Sequence, residues 1–157
     1  MAELEPVRKE LRVRCTPDHA FRVFTERMSE WWPLATHSIA GDRAKSCGFE
    51  PHEGGAIWEL DDAGNRHRWG RVLAWKPPHR LELAWHPGRD PATEQRVEVT
   101  FEAANDEEGE ATEVVLVHRD WDKLLEDAPN VRKGYETGWD RVLSGYVALS
   151  AGTSNPA

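Results

Sequence analysis

Histidine is the side chain best suited to proton transfer near neutral pH, and the 157-residue chain has seven of them. His37 stands out because it follows two adjacent tryptophans and a proline in the segment SEWWPLATHSI, residues 29–39. Beside an aromatic wall, such a histidine could act as a general acid or base on a bound substrate. The alternative is a plain loop histidine bonded to backbone. Ser38, next to it, would need an orienting carboxylate before it could serve as a nucleophile.

The other histidines show no pattern typical of a metal site, because no two lie at ligand spacing on one predicted element. His52 and His67 could meet only across a hairpin. His118 ends a predicted strand and shares a face with Val114 and Leu116, so it faces either a cavity or the back of the sheet. Motifs of nucleotide-binding proteins, zinc proteases and esterases are absent from the sequence. We therefore predict no catalytic residue, no metal and no cofactor.

Tryptophan is the unusual component of the composition, with eight residues against four phenylalanines and two tyrosines. An indole ring combines a large apolar area with one N–H donor, so it suits the wall of a cavity as well as a core. Pockets for small molecules are mostly apolar, with a few placed polar groups. The residues predicted to line such a pocket are Trp32, His37, Trp58, Trp69, Trp85, His118, Tyr135 and Trp139. The alternative is that the rings fill the interior and leave no cavity.

The N-terminal part of the chain predicts one strand and one helix. Residues 7–15 alternate between apolar and polar side chains, as in a half-buried antiparallel strand. Residues 16–28 carry apolar side chains at helical spacing, with Thr16 as a good N-cap, and predict one helix of about three turns. Pro33 prevents its continuation. Residues 35–45 then predict a loop with a short helical turn.

Six short apolar segments between residues 46 and 120 are separated by turn signals and predict six antiparallel strands. In the strand over residues 68–76 the alternation does not settle which face lines a cavity. Trp69, Arg71, Leu73 and Trp75 share one face, and Val72 and Ala74 share the other.

The last predicted element is an amphipathic helix of about six turns over residues 128–149. It contains Gly134, Gly138 and Gly145, each of which costs a helix up to ~1 kcal/mol. Close approach to a curved sheet, or room for a ligand, would explain this cost. The order of elements predicts a bent sheet around this helix, with residues 1–150 as a single domain and residues 151–157 as a disordered tail.

The charge and composition exclude several classes of partner. A net charge of −8 disfavours nucleic acid and an anionic membrane surface, since both require clustered Lys and Arg. No apolar run approaches the ~18 residues of a membrane span. Cys15 and Cys47 form neither a disulfide framework nor a metal-ligand pattern, and Cys15 is expected to be a buried free thiol. We therefore expect a cytoplasmic protein without nucleic-acid or membrane partners.

Several segments together carry a resemblance to a known superfamily. They are TPDHAFRVFTERMSEWW, WGRVLAWKPPHRLELAWHPG, TEVVLVHRDW and GYETGWDRVLSGYVALS. Over roughly residues 5–150 the chain resembles the SRPBCC superfamily, also called START or Bet v allergen-like. Within it, the likeness is to the bacterial branch related to the activator of the heat-shock chaperone ATPase.

This resemblance implies an α+β helix-grip fold. A curved antiparallel sheet of about six or seven strands would wrap a long C-terminal helix, with a short helix after the first strand. The resemblance also implies a cavity between sheet and helix. We therefore expect a small-molecule binding protein with an apolar or aromatic ligand of unknown identity, present as a monomer or a homodimer.

Two alternatives remain open. One is a cyclase- or hydratase-like enzyme that uses polar groups among His37, Arg71, His118 and Tyr135 around the same cavity. It requires at least two of them to converge on one void. The other is a stand-alone chaperone co-regulator or stress-response protein, although the second, partner-binding domain of the co-chaperone relatives is not expected here. Whether any reaction is catalysed stays undecided by the sequence.

Overall fold

Seven strands form one curved antiparallel sheet in the computed structural model, which describes residues 4–152. The strands are β1 (Val7–Val13), β2 (Ala44–Phe49), β3 (Ala56–Asp61), β4 (Arg66–Lys76), β5 (Arg80–Trp85), β6 (Gln95–Ala103) and β7 (Thr112–Arg119). Their order across the sheet is β1-β7-β6-β5-β4-β3-β2, so β2 to β7 form a meander and β1 pairs with β7. The predicted strand number and fold class are confirmed.

The helices are α1 (Pro17–Glu26), α2 (Met28–Trp31) and α3 (Ala128–Gly152), with three short 3-10 helices at Gly41–Arg43, Pro91–Thr93 and Trp121–Asp127. Helix α3 packs against β1, α1 and α2. No helix within residues 4–152 is long and apolar enough to cross a lipid bilayer.

The first helical segment is divided where the sequence predicts one continuous helix. The Thr16 hydroxyl accepts the backbone N–H of His19 and caps α1 as expected. Arg27 then leaves the helical conformation, with φ −110° and ψ 21°, and separates α1 from α2. The indole N–H of Trp31 donates to the carbonyl of Val23 at 2.9 Å. This bond ties α2 back onto α1 and fixes the direction in which the chain continues.

Helix α3 carries the apolar stripe that its sequence predicts. Trp139, Val142 and Tyr146 are buried, and the Tyr146 hydroxyl donates to the carbonyl of Ala20 in α1. The helix extends to Gly152, two residues into the segment predicted as a tail. The rest of that segment lies outside the described residues.

Strand β4 does not alternate regularly, because two bulges interrupt its pairing. One shifts the register against β3 beside Trp69, and the other shifts the register against β5 at Leu73. Each bulge inserts one residue and reverses which side chains face inward. As a result Trp69, Val72 and Trp75 all point into the interior, although the regular alternation puts Val72 on the opposite face from the other two.

Candidate functional site

A half-open cavity of about 550 Å³ lies between the sheet, helix α3 and the loop that follows α2. Its lining comes from three parts of the chain: Trp32, His37, Ser38 and Ile39 in the loop; Trp69, Trp85, Pro87 and Gly88 on the sheet side; and Val131, Gly134, Tyr135, Gly138, Trp139 and Val142 in the helix. Six of the eight residues predicted to line a pocket are therefore brought together. Trp58 and His118 are not among them.

Four tryptophans form the wall of the cavity. The ring of Trp32 lies 5.0 Å from that of Trp69, 5.8 Å from that of Trp85 and 5.9 Å from that of Trp139, measured between centroids. These are favourable aromatic separations, and the pairs meet at tilted or edge-on angles. The wall is therefore apolar and held in place by its own contacts.

The adjacent residues Trp31 and Trp32 face different surroundings. Trp31 packs in the core against Phe24 and Tyr146, with ring centroids 5.1 and 5.2 Å away. Trp32 lies in the extended conformation after α2, and its ring lines the cavity. Its indole N–H donates to the carbonyl of His37 at 2.7 Å. One tryptophan thus fastens the helix end, while the other joins the wall to the loop above it.

The segment after Trp32, residues 33–40, forms one side of the cavity mouth and is called the mouth loop here. A fully buried side chain, Glu59 of β3, anchors it to the sheet. One carboxylate oxygen accepts the backbone N–H of Ile39 and the indole N–H of Trp69, both at 2.8 Å. The other accepts the backbone N–H of Ala40 at 2.7 Å. The same carboxylate therefore positions both the mouth loop and part of the aromatic wall.

His37 presents its ring at this mouth. Its Nδ1 lies 2.8 Å from the Thr36 hydroxyl, and its Nε2 lies 3.9 Å from where a Cβ on Gly138 would be. Partial burial, and then the positive charge of Arg141, lower the pKa of His37 below its ordinary value. A neutral imidazole at neutral pH can accept or donate one proton. Ser38 is otherwise engaged, since its hydroxyl donates to the carbonyl of Leu34.

Tyr135 supplies the second polar group of the cavity. Its hydroxyl oxygen accepts the indole N–H of Trp85 at 3.1 Å. Burial raises the pKa of Tyr135, so the hydroxyl keeps its proton. No hydrogen bond among residues 4–152 uses that proton as a donor, which leaves it available to a bound molecule. The cavity thus offers one imidazole and one phenol in an apolar wall.

His118 lies behind the wall rather than in it. Its Nδ1 accepts the indole N–H of Trp139 at 3.0 Å, so its Nε2 carries the proton and donates to Gln95 at 3.2 Å. The ring stacks on Trp121 at 4.1 Å. Burial lowers the pKa of His118 to about 3, and the ring is neutral at ordinary pH. It supports the cavity from behind, by its hydrogen bond with Trp139 and by the contact of its ring with that of Tyr135 at 4.6 Å.

Trp58 and Arg71 belong to the outer side of the sheet. Trp58 alternates with the inward-facing Ile57 and Glu59, and the guanidinium of Arg66 covers its ring at 4.7 Å. Arg71 pairs with Glu94 at 3.0 Å. Of the four polar groups considered for catalysis, only His37 and Tyr135 therefore share the cavity.

Sequence reasoning missed Glu59, and it noticed the glycines of α3 without assigning them to the site. A glutamate in an alternating strand gives no sign of burial, and its three donors come from distant segments. Gly134 and Gly138 did give a signal, because glycine destabilises the interior of a helix and its presence there indicates a packing or functional role. A Cβ on Gly134 would meet nothing within 4 Å, and one on Gly138 would meet only the His37 ring.

Within residues 4–152, no three His, Cys, Asp or Glu side chains are grouped so that they could hold a metal ion.

Comparisons with known proteins agree with this architecture. A sequence model of the family "Activator of Hsp90 ATPase homolog 1-like protein" matches residues 14–149. A search of curated proteins found no match. Among solved structures, the chain is similar to the anthrahydroquino-gamma-pyrone synthase Txn09, at 32% identity over 87% of this chain and 90% of that one, with a TM-score of 0.55.

Two further structures show the same fold. The self-sacrificing resistance protein CalC from Micromonospora echinospora is 25% identical over 98% of both chains, with a TM-score of 0.69. The Aha1 dimer from Colwellia psychrerythraea is 12% identical over 92% of this chain and 94% of that one, with a TM-score of 0.65. With its family match over most of its length and its curved sheet packed with a long C-terminal helix, the chain belongs to the Activator of Hsp90 ATPase homolog 1-like family of the SRPBCC superfamily.

Proposed function

We propose that this protein binds an apolar, aromatic small molecule in the cavity between the sheet and helix α3. The observation that carries the proposal is the cavity itself, about 550 Å³ in volume and walled by four indole rings, each of which contacts at least two of the others. Ligand pockets of drug-sized molecules span roughly 300–1,000 Å³ and are mostly apolar, with few polar groups. Flat rings stacked on this wall would gain about 0.5–1.5 kcal/mol per aromatic pair beyond area burial.

The relatives support this class of ligand. One similar structure is that of a synthase named for an anthrahydroquino-gamma-pyrone, a name that denotes fused aromatic rings. It was solved as a complex. Another is described as a resistance protein. A wall of tryptophans suits a planar ring system, and His37 and Tyr135 would provide its directional hydrogen bonds.

The proposal can be tested with the neutral probe N-phenyl-1-naphthylamine, whose emission rises in an apolar site. Gly134→Trp would place an indole in the open space beside the helix and fill the cavity. Lys133→Trp adds the same ring on an exposed position of the same helix. We expect saturable probe binding by the wild type and by Lys133→Trp, and its loss in Gly134→Trp. Equal binding by all three proteins would mean that the probe does not use the cavity.

A second candidate is an enzyme of the cyclase or hydratase kind, favoured by the convergence of His37 and Tyr135 on one void. A neutral imidazole and a protonated phenol are a base and an acid that can act on the same molecule. Incubation with a metabolite extract of the native host, followed by mass spectrometry, would detect turnover. Conversion by wild type and Trp58→Phe, but not by His37→Gln or Tyr135→Phe, supports catalysis. Conversion unaffected in both site variants would refute it.

The chaperone co-regulator has less support. Such a role needs a contact surface, and among the described residues the large exposed apolar side chains are only Leu4, Ile39 and Leu125. Stimulation of a chaperone ATPase by the purified protein would place this role ahead of ligand binding and catalysis. The related Aha1 structure is a dimer, and light scattering decides whether this chain also pairs.

A further inference from the structure

One stripe of helix α3 faces the mouth loop. Positions 134, 138, 141 and 145 are spaced by four, three and four residues, so their side chains project from the same side of the helix. Three of the four are glycines. The missing side chain at Gly145 lets the carbonyl of Trp31 approach the helix closely, and Gly138 lies beside the mouth loop at His37.

The contacts of two glycines locate this stripe in space. A Cβ on Gly145 would overlap the carbonyl oxygen of Trp31, and a Cβ on Gly138 would touch the ring of His37. Gly134 faces open space within the lining of the cavity. The only full side chain on the stripe is Arg141, one turn from Gly138. Arg141 is not itself a lining residue, but its place one turn beyond Gly138 and the effect of its charge on His37 put it beside the lip of the cavity.

Arg141 has no carboxylate in an ion pair among residues 4–152. The nearby acidic residues of α3 are used elsewhere, since Asp140 pairs with Lys9 at 2.9 Å and Glu136 pairs with Arg132 at 2.9 Å. Its charge is felt at His37, where it helps to lower the pKa of the imidazole. Arg141 is exposed, which leaves its donors free to turn toward a bound molecule.

The lining of the cavity is also free of negative charge. Although the protein carries a net charge of −8, no acidic residue is found among the described residues that line this cavity. The nearby carboxylate of Glu59 lies behind the lining and accepts three N–H groups there. A cation at the lip of an apolar lining that has no acidic side chain favours one kind of ligand. An anionic group would be attracted to it, and a cationic group would be repelled.

We propose that the ligand carries an anionic group, such as a carboxylate, sulfonate or phenolate, and that Arg141 binds this group at the lip of the cavity while the aromatic wall holds the rings. This rests on the proposed function, because it assigns a charge to the molecule that the cavity binds. A guanidinium can hold a carboxylate with two parallel hydrogen bonds, which would also fix the direction in which the ligand enters.

A matched pair of probes separates the charge from the apolar body. 8-Anilino-1-naphthalenesulfonate and N-phenyl-1-naphthylamine share the same ring system, but only the first carries a negative charge. Arg141→Gln removes the lip cation. Lys133→Gln removes an equal charge from an exposed position outside the stripe and serves as the control.

We expect Arg141→Gln to weaken the anionic probe by about fivefold or more and to leave the neutral probe within about twofold, in the range of a charged hydrogen bond at a partly exposed site. The control should bind both probes like the wild type. The affinity of the wild type for the anionic probe, relative to the neutral probe, should also fall as the salt concentration rises from about 0.02 M to about 0.5 M.

Two results would overturn the inference. If the neutral probe binds in the cavity but the anionic probe is indifferent to Arg141→Gln, or equally weakened by Lys133→Gln, the anion has no specific partner at the lip. If the neutral probe fails to bind to the wild type at all, the proposed function is lost and this inference with it.

Discussion

Glu59 offers the sharpest test of how the site is built. Its carboxylate is fully buried and accepts three N–H groups, from Ile39, Ala40 and the indole of Trp69, at 2.7–2.8 Å. In Glu59→Gln one oxygen becomes an NH₂ group, which cannot accept a hydrogen bond. The amide would keep its oxygen toward Ile39 and Trp69, and its NH₂ would then face the N–H of Ala40.

The magnitude follows from this count. The partly buried N–H of Ala40 loses its acceptor in Glu59→Gln, at a cost toward the lower end of about 1–3 kcal/mol. In Glu59→Ala all three lose it, so the free energy of unfolding should fall by at least about 3 kcal/mol. The informative quantity is the ratio between the losses in free energy of unfolding of the two variants, because each loss reflects the number of hydrogen bonds that the substitution breaks.

Urea unfolding followed by circular dichroism measures these differences, and Glu102→Gln on the exposed surface is the control. Amide hydrogen exchange adds the local effect, since Ile39 and Ala40 should exchange faster in both Glu59 variants. Unchanged urea midpoints, together with unchanged exchange at these two amides, would refute the role of Glu59 as an anchor.

Three further predictions concern charge, reactivity and helix stability. Burial lowers the pKa of His118 to about 3, so from pH 6.5 to 5 the unfolded chain takes up a proton that the folded protein does not. Stability should fall by about 2 kcal/mol over that range, and the slope should flatten in His118→Gln but not in the exposed-site control His79→Gln. Burial raises the pKa of Cys15 to about 11 and of Cys47 to about 12, so neither should react with a disulfide reagent at pH 8 until the protein unfolds; rapid reaction of the native protein would contradict this. Gly134→Ala should stabilise the protein by about 0.5–1 kcal/mol, because its Cβ meets open space, and thermal unfolding that shows a loss would disprove that reasoning.

The frame of the fold follows directly from the spacing of apolar residues. In β6 the predicted inward set Val97, Val99 and Phe101 is fully buried, because a regular antiparallel strand presents every second residue to the core. Helix α3 is predictable for the same reason, with period 3.6 in place of 2. Cys15 is buried and free, as its place in an alternating segment indicates.

The details of the site depend on contacts between distant segments, which local patterns do not contain. Trp58 suggests a cavity wall by its chemistry, but in β3 it is the neighbouring Glu59 that faces inward. There the Glu59 carboxylate accepts three N–H groups from other segments. Trp69 and Trp75 face the same interior as Val72 only because bulges shift the register of β4. The donors leave no mark in the local sequence. The bulge beside Trp69 leaves one, Gly70, where a Cβ would lie 1.8 Å from the carbonyl oxygen of Ala84.

The bonding of the mouth loop has a consequence for motion. Glu59 fastens the loop to the sheet, Trp32 holds the carbonyl of His37, and the Ser38 hydroxyl closes the loop on itself. Opposite it, the first turns of the helix line the cavity with two residues that lack a side chain, Gly134 and Gly138, as well as with Val131 and Tyr135. We expect the first turns of α3, rather than the loop, to move when a molecule enters or leaves. Collective helix motions take microseconds to milliseconds, so exchange should be gated on that timescale and should show as relaxation dispersion at residues 128–138.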